Sequence, residues 1–98
     1  MVVSPRKAIP VDGLAAATAD VVADLLRAND LADKPIKSGK KLADAIGRSQ
    51  NYVAIRLRKA SPFSVSDLAD IAKALNVTVA GIVRRAEKKM AGNAAHDA

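Results

Sequence analysis

Between Leu42 and Val53 a small residue, a glycine and a β-branched residue stand at spacings that suit two short helices meeting at a steep angle. Ala43 is small where the first helix must approach the second. Gly47, four residues on, can take the positive φ of a tight turn, and Val53, six further, can fill the angle between the helices. Leu42 and Ile46 supply an inward face. An ordinary amphipathic helix followed by a loop meets all of these demands only occasionally.

The flanking residues extend the helical reading. Leu14, Thr18, Val21, Val22, Leu25 and Leu26 recur at helical spacing, which predicts a first helix from a cap near Asp12 to about Ala28, with Asp20, Asp24 and Arg27 on its outer face. Pro35 breaks the pattern between Asn29 and Ser38, where Leu31 and Ile36 are expected to pin the connection to the core. Ser38 caps a helix through Ile46 that Gly47 ends, and Ser49 caps a third running to about Lys59. Ala60 to Phe63 reads as a turn. Ser64 and Asp67 form a capping box for a fourth helix with an apolar stripe of Val65, Leu68, Ile71, Ala72 and Leu75, stopped at Asn76. Thr78 caps a fifth, whose cations Arg84, Arg85, Lys88 and Lys89 fall in its expected last turns and favour the helix dipole.

Length and composition fit this plan. A chain of 98 residues has room for one domain with a modest core. Its apolar half is Ala, Val, Leu and Ile, with Tyr52 and Phe63 as the aromatic residues, which suits packed helices better than a sandwich. Without cysteine, neither a disulfide nor a thiolate metal site can hold it together. Residues 1–10 read as a flexible arm whose Arg6 and Lys7 are more simply solvated than bound to an anion, residues 11–89 as the folded domain, and residues 90–98, with His96, as a disordered tail. The chain carries no signal-peptide run and no membrane-length apolar stretch, so the expectation is a cytoplasmic protein.

Charge is distributed unevenly. From Lys37 to Ala60 seven cations face the single acid Asp44, a surplus of six, while the rest of the chain carries nine basic and nine acidic residues. A solubilising surface mixes both signs, whereas a phosphate-binding surface concentrates one.

From Ser38 to Ala86 the sequence resembles the helix-turn-helix family of phage repressors, Cro and Xre, in the version found in actinobacterial and actinophage regulators. The resemblance is carried by Leu42 to Val53, Tyr52-Val53-Ala54-Ile55-Arg56-Leu57, Pro62-Phe63-Ser64, Asp67-Leu68, Ile71-Ala72 and Ala74-Leu75-Asn76-Val77. It implies an all-α, five-helix, lambda-repressor-like DNA-binding domain that acts as a transcriptional regulator and is usually dimeric. Two positions depart from the pattern. Arg48 follows the turn glycine and Arg56 lies three residues past Val53, both where the family carries buried aliphatics. Leu57, with Phe63 beneath it, can replace the second burial, but nothing replaces the first. The turn is therefore expected to be open, with the Arg48 guanidinium along the DNA backbone.

With Val53 and Leu57 inward, the 100° helical step turns Asn51, Ala54, Ile55 and Arg58 outward, and Gln50 leads from the first turn. Gln50 and Asn51 can pair with adenine, Arg58 can fork onto guanine or phosphate, and Ile55 can pack on a thymine methyl. Lys37, Lys40, Lys41, Arg48, Ser49, Tyr52, Arg56 and Lys59 are candidate phosphate contacts. Tyr52 can equally be half-buried packing, and Arg56 can equally form a structural ion pair. Val79, Ile82, Val83 and Met90 are candidate dimer contacts or plain core. The partners expected are a double-stranded DNA operator and a second copy, with no membrane, small-molecule ligand, metal or cofactor. The sequence offers no phosphate loop, metal-ligand spacing or cysteine nucleophile, which speaks against an enzyme. Two other readings fit the same pattern: a protein-binding module on this fold, such as an antitoxin or host-factor inhibitor, and a sequence-blind architectural DNA-binding protein.

Overall fold

A computed structural model describes residues 13–29 and 35–97, with side chains described through Ala91. The expected arm with Arg6 and Lys7, the cap at Asp12 and the anchor at Leu31 lie outside the described residues. Five helices follow in order: α1 Gly13–Ala28, α2 Gly39–Ile46, α3 Gln50–Leu57, α4 Val65–Leu75 and α5 Val79–Asp97. No strand occurs among the described residues. Helix α1 lies along α5, while α2 packs on both α3 and α4.

The helix ends follow from local chemistry. Ser38, Ser49 and Ser64 each accept a hydrogen bond from the backbone N–H three residues on, and Thr78 accepts from Gly81 N–H. The Ser64 box is reciprocal, because the Asp67 carboxylate accepts from Ser64 N–H at 2.9 Å. Gly47 ends α2 at φ 71° and Asn76 ends α4 at φ 60°. In both cases the next amide reaches back five residues, from Arg48 to Ala43 O and from Val77 to Ala72 O. Helix α3 closes in the same way, with Ala60 N–H on Ile55 O and Lys59 at φ 67°. It therefore stops at Leu57, short of the Lys59 limit expected from the sequence.

The core is made of Val21, Val22, Leu42, Val53, Ile71 and Ile82, each almost wholly buried, with Ala43 and Ala86 filling the close approaches. Each such aliphatic burial stabilises by roughly 1.5 to 3 kcal/mol over exposure. The connection from α1 to α2 is fixed by the buried Asn29, whose Oδ1 accepts from Ile36 N–H at 2.8 Å, and Ile36 packs on the core as expected. Leu14 and Val65 do not join the core. They remain 42% and 77% exposed, because each lies in the first turn of its helix, ahead of the point where the helix meets its neighbours.

Helix α5 runs on to Asp97, past the boundary expected near Lys89. Ala91, Ala94 and Ala95 are strong helix formers and carry the helix onward. Arg84, Arg85, Lys88 and Lys89 consequently stand in its middle, and the dipole account of their placement falls.

Gly47 has open space where a Cβ would stand, so its need for glycine lies in the backbone alone. Gly47→Ala should lower stability to denaturant by about 1 kcal/mol through the left-handed penalty. A variant as stable as the parent would contradict the assigned turn.

Candidate nucleic-acid interface

Helix α3 is seated by Val53, which is fully buried, and by Leu57 and Phe63, which pack on the core. The start of α2 lies tight against this inner side. A Cβ on Gly39 would stand 3.2 Å from Leu57 Cδ1 and 3.7 Å from Val53 Cγ1, so glycine permits the approach. With that side buried, Gln50, Asn51 and Arg58 are exposed, and Ala54 and Ile55 are half-buried beside them. Ser49 is exposed and its hydroxyl accepts from Tyr52 N–H at 3.0 Å, as a cap does.

The seven cations of the charged stretch divide into two sets. Lys37, Lys40, Lys41 and Arg58 are exposed and have no acid partner among the described residues, although Lys37 Nζ donates to Arg27 O at 3.3 Å. Arg48, Arg56 and Lys59 are paired with acids that lie outside the stretch: Asp67 and Asp70 on α4, and Asp20 on α1. The local surplus counted along the sequence is therefore about halved in space.

Asp67 is the centre of this pairing. Its side chain is 1% exposed and holds four neighbours. Ser64 N–H donates to it at 2.9 Å, the Tyr52 hydroxyl at 2.9 and 3.0 Å to its two oxygens, and Arg48 Nε at 3.2 Å, while Arg56 Nε stands at 3.7 Å. Burial pushes the Asp67 carboxyl up, but the Ser64 amide, the Tyr52 hydroxyl and the Arg48 guanidinium outweigh it, so the group is held below its ordinary value. The Arg56 guanidinium lies 3.5 Å from the Tyr52 ring centre and donates to Tyr52 O at 3.1 Å, leaving Nε buried without a hydrogen bond.

Two expectations, the open turn with Arg48 along the DNA backbone and an unpaired Lys59, are corrected by this geometry, and at Tyr52 and Arg56 it favours the structural alternative. The turn after Gly47 is closed, because Arg48 folds back, its Nη1 donating to Ile46 O at 2.8 Å and its Nη2 pairing with Asp70 at 2.9 Å. Arg48, Tyr52 and Arg56 do not stand out toward a backbone. Their polar ends are engaged on Asp67, so the two arginines that replace buried aliphatics do so as one charge cluster. Lys59 pairs with Asp20 at 3.0 Å and ties the end of α3 to α1. Of the apolar residues proposed as dimer contacts, Ile82 is fully buried within the protomer and Val79 packs on its core, whereas Val83 is half-buried and Met90 is 38% exposed.

Asp67, Asp70 and Asp20 are the residues that sequence reasoning missed as partners. The signal available was the pair of arginines at aliphatic positions, since a buried cation needs a nearby carboxylate.

No family model matches the sequence, and neither does any curated protein. Among solved structures, the chain is similar to the crystal structure of the clp gene regulator ClgR from Corynebacterium glutamicum. The two share 28% identity at a TM-score of 0.72, over 90% of this chain and 87% of that one.

The lowered Asp67 pKa gives a signed expectation. An unfolded Asp titrates near 3.8, so the stabilisation from a folded group held lower is complete above that pH. It is lost as pH falls through the folded value. Asp67→Asn should flatten the fall of stability below about pH 4, and an acid limb as steep as the parent's would contradict the assignment. Asp67→Ala should cost about 3 kcal/mol, because the arginines are left facing one another.

Proposed function

We propose that the chain is a sequence-specific, double-stranded DNA-binding transcriptional regulator, a repressor of the phage or mobile-element type, rather than an enzyme. The observation that carries the reading is the outer side of α3. Gln50 and Asn51 are exposed at its first turn, Arg58 is exposed at its end, and Lys40 and Lys41 are exposed at the start of α2. An amide side chain offers the paired donor and acceptor that adenine presents in the major groove, and a guanidinium offers the fork that guanine accepts. Ile55 and Ala54 add the apolar edge that a thymine methyl contacts. Lysines on the flank, together with Lys37 and Ser49, bind phosphates and set register. Similarity over most of both chains to a solved gene regulator supports the regulatory role. No helix among the described residues is long and apolar enough to cross a membrane, consistent with the cytoplasmic setting a repressor requires.

Selection of bound sites from random duplexes tests this directly and should enrich one motif. Gln50→Ala and Asn51→Ala should then each lose about 1 to 3 kcal/mol of preference for that motif. Lys40→Ala and Lys41→Ala should instead weaken binding to every duplex alike and lower the salt slope by about 0.9 each. Salt-dependent binding without an enriched motif would favour the architectural reading, and absence of binding would favour a protein-binding module.

The proposal extends to a homodimer that sets two α3 helices about 34 Å apart on a pseudo-palindrome. Ile82 is unavailable for that contact. The exposed apolar residues Leu14 and Val65 border a shallow groove with Phe63 and Val83, and Met90 is exposed further along α5. Sedimentation equilibrium should give a dimer mass that Val65→Lys reduces. A monomer at every concentration would refute the dimer.

A further inference from the structure

Two carboxylates engage the cationic stretch without being needed for burial or for capping. Asp20, on α1, stands 3.0 Å from Lys59 Nζ, and Asp70, on α4, stands 2.9 Å from Arg48 Nη2. Their side chains are 48% and 45% exposed, in contrast to the 1% of Asp67. Lys59 is also open to solvent at 40%, whereas Arg48 is 26% exposed and stays held by Asp67 at 3.2 Å and by Ile46 O at 2.8 Å whatever becomes of Asp70. Apart from the ion pair, neither acid makes a side-chain hydrogen bond among the described residues. Asp20 and Lys59 therefore form an exchangeable pair, and its net contribution to folding is of the small size found for exposed ion pairs.

We propose that Asp20 is a built-in competitor for the DNA backbone, occupying Lys59 and so capping sequence-blind affinity. The inference rests on the DNA-binding reading and concerns how tightly that surface holds any duplex. Binding to phosphates is driven by release of the cations condensed on DNA. A phosphate that takes Lys59 from Asp20 leaves a bare carboxylate, which gathers a cation in place of the one the DNA gives up. Net release from that contact falls toward zero, and with it the driving force. Lys37, Lys40, Lys41 and Arg58, without acid partners among the described residues, keep the full effect. With Arg48 and Arg56 held by Asp67, a stretch of seven cations acts on DNA as one of four. Contacts to base edges lose nothing by this. Asp20 therefore lowers the affinity that all duplexes share and leaves the part that distinguishes sequences.

The test compares the full-length parent with Asp20→Asn, Asp70→Asn and Glu87→Gln. Glu87 is exposed on α5 and has no ion pair among the described residues, so its variant adds the same unit of charge elsewhere. Binding to a duplex of random sequence is followed by fluorescence anisotropy from about 50 to about 300 mM KCl, with thermal melting to confirm the fold of each variant. Asp20→Asn should steepen the logarithmic salt slope by about 0.9, which is on the order of tenfold tighter binding at 50 mM and about threefold at 300 mM. Asp70→Asn, whose Arg48 stays on Asp67, should leave it unchanged. Glu87→Gln should leave the slope as it is. A parental slope in Asp20→Asn, or an equal steepening by Asp70→Asn or Glu87→Gln, would overturn the inference while leaving DNA binding intact. A parent that binds no duplex in a salt-dependent way would overturn both.

Discussion

The buried carboxylate of Asp67 joins the two halves of the fold that must keep a fixed angle. It starts α4 through the Ser64 amide, and it receives the Tyr52 hydroxyl and the Arg48 guanidinium from the turn and first coil of α3. Arg56, from the next coil, lies over the Tyr52 ring beside it. A carboxylate removed from water is costly unless its lone pairs are filled and its charge is met. Here four neighbours do so, and every one of them fixes the orientation of α3 or α4. An aliphatic joint of the same volume would hold the helices by packing alone, whereas this one ties their rotation to hydrogen-bond directions.

That joint divides the cations by task. Arg48 and Arg56 serve the fold, and Lys59 secures the end of α3 to α1, so their charges are met inside the molecule. Lys37, Lys40, Lys41 and Arg58 face outward beside Gln50 and Asn51. On the proposed reading the second set binds DNA, and its modest size leaves more of the discrimination to base edges than a uniformly basic face would. Rigid presentation matters for the same reason, since a paired hydrogen bond to a base tolerates little rotation of the helix that carries it.

Much of this was legible in the sequence because it depends on neighbours a few residues apart. The caps at Ser38, Ser49, Ser64 and Thr78, the glycine stop at Gly47 and the Asn76 stop are local chemistry, and the structure has each of them in place. The outward side of α3 was also legible, because a buried Val53 fixes the phase of a regular helix. What was not legible required distance through space. Asp67 and Arg48 are nineteen residues apart and Lys59 and Asp20 thirty-nine, so a count of charge along the chain could not reveal that they neutralise one another. The extent of α5 was missed for a different reason. The alanines after Met90 favour a helix, but small residues at a terminus read equally well as an unstructured end. Leu14 and Val65 show the limit of periodicity, which gives the face of a helix but not where along its length the neighbours begin.

Helix α3 is held by its acid-filled inner joint, and on the proposed reading its outer side meets DNA. Mapping amide and arginine side-chain resonances during titration with a duplex tests both parts together. The largest shifts should fall on residues 37–41, 49–51, 54, 55 and 58, with the Arg56 Nε signal unmoved because its place over Tyr52 persists. Largest shifts on α5 or around Leu14 and Val65, or loss of the Arg56 signal on binding, would contradict this.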